Sequence, residues 1–308
     1  YRGSWGPGKQ YPGTGLYLAG VVSTCAGVCG SRREIDRVDQ KTDMNEPFVL
    51  EKMSGHVLWL TLNRPGQRNP LSSQMIAALS QAMAAANDNP AVRAVVLAGS
   101  GPVFSAGHDL REMSQRAGES SDEWAARVRQ VLESCARMMV GIVHSPKAVI
   151  ACVQGTATAA GCQLVSACDL ALATDEAHFC TPGVNIGTFC TTPLVGIGRN
   201  IQRKHAMELA LTGDMFPAAD AVRFGLLNRA VPADVLYAEV EALANRIASK
   251  SAQGIRAGKE AFYRQIDMPL EDAFTYANEA MLQGLLSPDA MEGTSAFLEK
   301  RSPVWGDA

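Results

Sequence analysis

Short apolar segments and helical patterns alternate along the chain from residue 48 onward. Residues 48–53 and 56–62 have strand-like sequences, and Ser54-Gly55 between them predicts a hairpin. Apolar residues then recur at helical spacing behind a Ser72 or Ser73 cap. The residues at that spacing are Met75, Ile76, Leu79, Met83 and Ala86. Further strands are expected at 93–98, 147–153, 169–173 and 177–180, and further helices at 122–140 and from about 159. The order strand, strand, helix recurs about four times, which predicts a layered α/β domain.

Helical patterns dominate from about Lys204 onward, and strands nearly stop. The predicted helices cover 233–248, 254–265, 270–286 and 288–301. One of them carries an apolar stripe made of Phe274, Ala277, Met281 and Leu285. Such a stripe needs a partner surface, either within the chain or on another subunit. We therefore divide the patterned sequence into a core at 44–203 and a C-terminal helical region at 204–308.

Residues 1–43 lack the patterning of the rest and are interpreted as a leader that is disordered or not native, joined to a protein that starts at Met44. We expect this leader to be dispensable and the protein to be cytoplasmic. The alternative is a transit peptide, because the leader contains Arg2, Lys9, Arg32 and Arg33. In that case the location would be the mitochondrial matrix.

Composition narrows the possible partners. The formal net charge is −3 and 47% of residues are hydrophobic, so no global basic excess favours nucleic acid. The apolar residues 16–29 are too short and too rich in glycine to span a bilayer, and no membrane partner is expected. The eight cysteines form no CxxC pair, and histidine spacing predicts no zinc site. Free buried thiols are expected, as in a reducing compartment.

Two glycine-containing segments each lie between a predicted strand and a helical stretch. The first elbow is residues 104–110 (FSAGHDL), and the second elbow is residues 155–163 (GTATAAGCQ). Small residues let backbone N–H groups approach a ligand, and a helix N-terminus favours negative charge. Two such elbows can aim two N–H groups at one carbonyl oxygen and form an oxyanion hole. On the sequence pattern alone, ordinary packing of small residues before a helix is the alternative.

Both elbows belong to a series of spaced motifs. Residues 104–110 match F-(S/A)-A-G-x-D-(L/I), and residues 159–163 with the following Cys168-Asp169 match G-G-G-C-E with a downstream C-D. Residues 179–183 match F-x-x-P-E, and further matches lie at 211–214, 221–226 and 292–301. Over residues 48–304 the chain resembles the enoyl-CoA hydratase/isomerase (crotonase) superfamily. The resemblance implies a crotonase-like spiral of repeated ββα units with a C-terminal helical trimerisation region. It also implies an acyl-CoA or enoyl-CoA thioester as substrate, coenzyme A being part of that substrate, with no permanently bound cofactor. The assembly would be a homotrimer or a dimer of trimers.

The resemblance also implies roles for single residues. The backbone N–H groups of Ala106 and Ala160 would bind the thioester oxygen. Family hydratases use two glutamates to move protons, and Gln163 and Gly183 occupy those positions here. An amide and a missing side chain cannot exchange protons at neutral pH, so standard hydration is doubtful. Altered catalysis and a non-catalytic acyl-CoA-binding or regulatory role in fatty-acid metabolism both stay open.

Other candidate residues lie around these motifs. His108 titrates in a useful range and is the first substitute for the absent acid–base groups, with a CoA-adjacent loop histidine as the alternative. Asp109 is expected to cap the helix after the first elbow, and nothing in the sequence supplies Cys190 with an activating base. Coenzyme A phosphates require cations, although ordinary solvated charges are the alternative for each basic residue. The CoA-binding positions implied are Arg64, Arg68, Ala106, His108, Asp109, Ala160 and Lys300.

Overall fold

The computed structural model describes residues 46–306, and the leader at 1–43 lies outside the described residues. The strands are β1 (Val49–Ser54), β2 (Val57–Leu62), β3 (Ala94–Gly99), β4 (Val103–Ser105), β5 (Ala148–Val153), β6 (Thr156–Thr158), β7 (Leu170–Thr174), β8 (His178–Cys180), β9 (Phe216–Pro217) and β10 (Arg229–Val231). The helices are α1 (Ser73–Asp88), α2 (Leu110–Met113), α3 (Ser121–Val143), α4 (Ala160–Ala167), α5 (Pro193–Asn200), α6 (Arg203–Thr212), α7 (Ala218–Phe224), α8 (Leu236–Ala248), α9 (Ala252–Gln265), α10 (Leu270–Leu285) and α11 (Pro288–Leu298). Two 3-10 turns, Pro65–Gln67 and Pro182–Ile186, complete the elements.

The larger sheet has six strands in the order β1-β2-β3-β5-β7-β10. The predicted hairpin is confirmed, because β1 and β2 pair antiparallel with Val49 opposite Leu62. The pairs from β2 to β10 are all parallel. All six residues of β3 and of β5 are buried, as expected for parallel strands covered on both faces.

Alternate residues of the sheet enter two different cores. Val95 and Leu97 of β3 face the larger core, whereas Ala94, Val96 and Ala98 face the smaller one. This is the period-two alternation of a strand. Helix α8 covers the smaller core with Leu236, Val240, Leu243 and Ala244. The larger core also takes in α1, α3, α4 and the second sheet.

The second sheet has four strands in the order β4-β6-β8-β9. β4, β6 and β8 pair parallel, and β9 pairs antiparallel with β8. β4 and β6 belong to the two elbows and were not expected from the sequence, because each has only three residues. After Lys204 only two short strands occur within the described residues: β9 pairs with β8, and β10, which the sequence did not predict, extends the six-stranded sheet next to β7. The first elbow follows β3 and the second follows β5. Because β3 and β5 are adjacent parallel strands of the six-stranded sheet, this sheet fixes the relative position of the two elbows.

The C-terminal helices attach to the core through a polar cluster. Asp169 accepts hydrogen bonds from Lys259 Nζ at 2.5 Å, from Tyr263 Oη at 2.9 Å and from Val149 N at 2.8 Å. Lys259 also donates to the carbonyl of Lys147 at 2.8 Å. Asp169 therefore has a structural role in joining α9 to the core. Burial and the neighbouring Asp169 carboxylate raise the pKa of Tyr263, so its hydroxyl keeps the proton that it donates.

Helices α10 and α11 expose large apolar side chains. This C-terminal apolar surface consists of Phe274, Met281, Leu285, Leu286, Phe297 and Leu298. Phe274 and Met281 are each 63% exposed, so the stripe predicted for residues 270–286 is not covered by the rest of the described chain. Across residues 46–306, helices with the length and hydropathy to cross a bilayer do not occur.

Candidate active site

The two elbows lie against each other. Thr158 Oγ1 donates a hydrogen bond of 2.9 Å to the carbonyl of Ala106. Gly107 has φ of 84°, and a Cβ built there would lie 3.0 Å from the Cβ of Ala159 and 3.1 Å from the backbone nitrogen of Ala160. Glycine is therefore required at 107 both by its positive φ and by the close approach.

The second elbow turns directly into α4. Ala159 has φ of 49° and ψ of −117°, a conformation that is strained for an alanine. Gly161 allows the helix to touch the first elbow, since a Cβ there would lie 2.3 Å from the carbonyl oxygen of Ser105. All eight residues of α4 are buried. Strain and close packing together hold the start of α4 at one position.

Of the two backbone N–H groups expected to be free, that of Ala160 is free within the described residues and that of Ala106 is not. The N–H of Ala106 donates to the carbonyl of Arg68 at 2.9 Å, so it is engaged within the protein. This geometry argues against Ala106 as an oxyanion donor, which the family pattern had implied. The N–H groups of His108 and Ala160 have no acceptor among residues 46–306. Ala160 is the first residue of α4, where helix N–H groups lack internal partners.

A buried asparagine that the sequence reading had not singled out holds the first elbow. Asn69 is 0% exposed, and its side-chain amide donates to the carbonyls of Ser100 and Val103 at 2.9 and 2.8 Å. Its own carbonyl accepts from Ser105 Oγ at 2.9 Å. Asn69 directly follows the coenzyme A candidate Arg68 in the sequence, and this position was the available signal for it.

Gln163 lies on α4 beside the elbows, as its spacing predicts. Its side chain is 7% exposed, and Oε1 is buried without a hydrogen-bond partner in the described part of the chain. Thr181 Oγ1, just before the second 3-10 turn, is likewise buried and unpartnered. Buried polar atoms normally find a partner, so these two atoms indicate a place where a ligand or water completes the contacts.

Gly183 has no space for a side chain. A Cβ there would lie 2.9 Å from the backbone nitrogen of Cys190 and 3.0 Å from its Sγ. Burial raises the pKa of Cys190, and it raises the pKa of Cys180 to about 11, so both thiols are neutral near pH 7. A neutral thiol is a poor nucleophile and a poor base.

His108 is the candidate acid–base side chain on the first elbow. Burial lowers the pKa of His108 below its ordinary value, and the carboxylate of Glu112 opposes the shift. Nε2 is buried with no partner within residues 46–306. The imidazole is therefore neutral near pH 7 and can accept a proton. Asp109 caps α2 by accepting from the N–H of Arg111 at 2.9 Å, as predicted.

The basic side chains implied to contact coenzyme A differ in whether they are free to bind a ligand. Arg64 is 6% exposed, and its guanidinium donates to the carbonyls of Glu46, Pro47 and Asn63 while stacking 3.7 Å above the ring of Phe48. The guanidinium is thus occupied, which argues against the coenzyme A contact expected of Arg64. Arg68 and Lys300 are exposed, with φ of 65° and 57°. Nowhere in residues 46–306 do three metal-ligating side chains cluster.

Comparison with known proteins agrees with the motifs and the fold. The family model described as Enoyl-CoA hydratase/isomerase matches residues 52–308. The chain belongs to the enoyl-CoA hydratase/isomerase family.

Individual members of this family are similar to the chain over most of its length. The chain is 42% identical over 260 residues to the zebrafish (Danio rerio) protein named enoyl-CoA hydratase domain-containing protein 3, mitochondrial, covering 84% of this chain and 88% of that one. The human crystal structure of enoyl-CoA hydratase domain-containing protein 3 is 39% identical, with a TM-score of 0.79 over 84% of this chain and 100% of that chain. A Mycobacterium smegmatis enoyl-CoA hydratase structure is 45% identical, with a TM-score of 0.79 over 84% of this chain and 99% of that chain.

Proposed function

We propose that this protein binds acyl-CoA or enoyl-CoA thioesters and stabilises an enolate with two backbone N–H groups, but hydrates them poorly. The observation that carries the proposal is the contact between the elbows. A Cβ on Gly107, the residue before His108, would lie 3.1 Å from Ala160 N, which supports a shared acceptor for the two unengaged N–H groups of His108 and Ala160.

Negative charge that moves onto the thioester oxygen would be stabilised by both donors. Loss of one such donor costs about 3 kcal/mol in enzymes that depend on it. Ala160 adds the favourable dipole of α4, although α4 has only eight residues. These interactions act on the oxygen alone and move no proton.

Proton transfer is the step that the site supports least. Gln163 is an amide, and the space beside Gly183 is filled by Cys190. A positioned acid or base contributes about 10²–10⁴-fold to a rate. Neutral His108 is the remaining candidate base on the first elbow.

A non-catalytic acyl-CoA-binding or regulatory role is the second candidate. The specific observation in its favour is the close packing of Cys190 against Gly183, which closes the position of a catalytic carboxylate. Both candidates require thioester binding, and they differ only in turnover.

A panel of saturated and 2-enoyl-CoA esters, assayed for binding by calorimetry and for loss of the conjugated thioester absorbance, tests the proposal. We expect binding of both classes, no binding of the free fatty acids, and slow or absent turnover. Absence of binding for every thioester would refute thioester recognition itself. Hydration at ordinary family rates would refute the role assigned to Gln163 and Gly183.

Assembly and location follow as further proposals. The C-terminal apolar surface supports a homotrimer or a dimer of trimers, because soluble monomers rarely expose contiguous apolar patches of this kind. Light scattering that gives a stable monomer at micromolar concentration would contradict this.

Similar proteins carry "mitochondrial" in their names, which supports the transit-peptide alternative for residues 1–43 over the cytoplasm. Fusing residues 1–43 to a fluorescent protein and imaging it tests the alternative.

A further inference from the structure

Two buried polar atoms beside the second elbow lack hydrogen-bond partners. Among residues 46–306, five side chains carry a buried oxygen or nitrogen without a partner, and Gln163 and Thr181 are the two buried residues in this set. Thr181 is 0% exposed and Gln163 is 7% exposed. An unpaired buried polar atom destabilises the folded protein, so the pair indicates a partner that is not part of the chain.

Both residues are tied to Ala159, which precedes the free N–H of Ala160. The N–H of Ala159 donates to the carbonyl of Cys180 at 2.9 Å, and Thr181 directly follows Cys180. The carbonyl of Ala159 accepts from the N–H of Gln163 at 3.1 Å. Because one residue holds both segments, Gln163 and Thr181 come together at the N-terminus of α4.

The side chain of Gln163 extends toward the start of α4. Side chains of an α-helix tilt toward its N-terminus, and residues three or four apart lie on one face. Gln163 follows Ala160 by three residues, so its amide lies over the turn that contains the Ala160 N–H. A ligand group that Gln163 binds therefore lies close to the atom that this N–H binds.

The hydroxyl of Thr181 is not used in local structure. A threonine at the start of a helix ordinarily accepts a hydrogen bond from a backbone N–H two or three residues further on. Thr181 occupies that position before the 3-10 turn Pro182–Ile186, yet its side chain makes no such bond. The hydroxyl is thus available to a ligand.

The two unpaired atoms call for a ligand group that both donates and accepts hydrogen bonds. Oε1 of Gln163 accepts, whereas the hydroxyl of Thr181 has one donor and two acceptor sites. A ligand hydroxyl can donate to Gln163 while it accepts from Thr181. A ketone or carboxylate oxygen has no proton to donate, and an alkyl chain leaves both protein atoms unpaired. The chemistry of the pair therefore favours a hydroxyl.

We infer that Thr181 is a specificity-determining residue that, together with Gln163, hydrogen-bonds a hydroxyl group on the acyl chain of the bound thioester. This inference rests on the proposed function, because it requires the thioester oxygen to be held by the N–H of Ala160. The hydroxyl then lies on an acyl carbon near the thioester, at C2 or C3. Recognition of this kind requires no proton transfer, which agrees with an amide at position 163.

Calorimetry of the full chain tests the preference with matched ligands. The probes are butyryl-CoA, 3-methylbutyryl-CoA and each enantiomer of 2-hydroxybutyryl-CoA and 3-hydroxybutyryl-CoA. The 3-methyl ester controls for size, because its methyl group replaces the hydroxyl without pairing. At least one hydroxy ester should bind about tenfold or more tightly than both alkyl esters, since it pairs buried groups that the alkyl esters leave unpaired.

Thr181→Val keeps the shape of the side chain and removes the hydroxyl. It should weaken binding of the preferred hydroxy ester about tenfold, whereas butyryl-CoA, which has no group to pair with Thr181, should bind as before. A purely structural role would not separate the two ligands. Gln163→Met should also reduce the preference and is the second variant. Thr174→Val is the matched control, because Thr174 is a buried threonine of β7 opposite Val231 of β10, whereas the elbows follow β3 and β5.

The outcomes separate this inference from the proposed function. Equal affinity of the wild type for all the esters, as an ordered water between Gln163 and Thr181 would give, overturns the inference. Full preference in Thr181→Val and Gln163→Met, or an equal loss in Thr174→Val, also overturns it. All of these results leave thioester binding standing, whereas failure of every thioester to bind would overturn both. Thr181→Val should fold at least as stably as the wild type, since it removes an unpaired buried hydroxyl, and its Tm without ligand checks this.

Discussion

Replacement of Gly183 by alanine tests directly whether the position of a catalytic carboxylate is closed. The added Cβ would lie 2.9 Å from the backbone nitrogen of Cys190, 3.0 Å from its Sγ and 3.0 Å from the carbonyl carbon of Phe189. Two of these three atoms are backbone, so the residues after the 3-10 turn must move. Such overpacking costs about 1–3 kcal/mol. Reduced entropy of the unfolded chain offsets about 0.4–1 kcal/mol of it. We expect a net loss of about 1–2 kcal/mol in the free energy of unfolding.

Gly141→Ala is the matched control, because Gly141 lies within α3 and a Cβ there meets nothing within 4 Å. It should stabilise the protein by about 0.5–1 kcal/mol. Urea unfolding of both variants at equal protomer concentration measures the difference. Adding Cys190→Ala to Gly183→Ala should recover part of the loss, since only the contact with Sγ is removed. If Gly183→Ala is as stable as the wild type, the steric reasoning is wrong, and Gly183→Glu becomes a simple route to a second carboxylate.

Three other predictions concern the active site and the core. Gln163→Glu should raise crotonyl-CoA hydration above the wild-type rate by up to about 10²-fold, since one proton-transfer group is restored; an unchanged rate in a folded variant would argue against that role. Asp169→Asn should lower the free energy of unfolding by about 3 kcal/mol, because it leaves the part-buried Lys259 ammonium without its carboxylate. The control Asp220→Asn, which removes the more exposed ion pair of Asp220 with Arg223, should cost less than about 1 kcal/mol; equal losses would contradict the reasoning from burial. Because the folded pKa of His108 lies below its unfolded value, its contribution to stability is present above the unfolded pKa and is lost as pH falls below that value; a stability profile in which His108→Gln has the same pH dependence as the wild type would refute this.

The helices and strands that the sequence predicted well are those in which apolar residues recur with a clear period. The hairpin β1–β2, the buried strands β3 and β5, and the long helices α3 and α10 all lie close to their expected positions. β10 was missed because its three residues carry too little pattern, and its place in the sheet depends on pairing with β7. Helices α5 to α7 were missed because their short sequences do not establish a period.

The candidate site shows a similar division. The motifs located both elbows, and their spacing assigned Gln163 and Gly183 to the positions of the two family glutamates. The hydrogen bond from Ala106 to Arg68 joins residues 38 apart in sequence, and a motif does not show which N–H a distant carbonyl will take. The filling of the space beside Gly183 by Cys190 depends on the path of the loop between them, which side-chain types do not determine.

The contact between the elbows also bears on how such a site can change over time. Gly107 and Gly161 fit against Ala159 and the carbonyl of Ser105 with no room for a methyl group, so the spacing of the N–H donors is set by the backbone. The proton transfer that the motifs imply for positions 163 and 183 depends on side chains instead. If the backbone donors bind a thioester as proposed, mutations could remove proton transfer one side chain at a time while the affinity for the thioester persists, and a protein that had lost turnover would still bind the ligand.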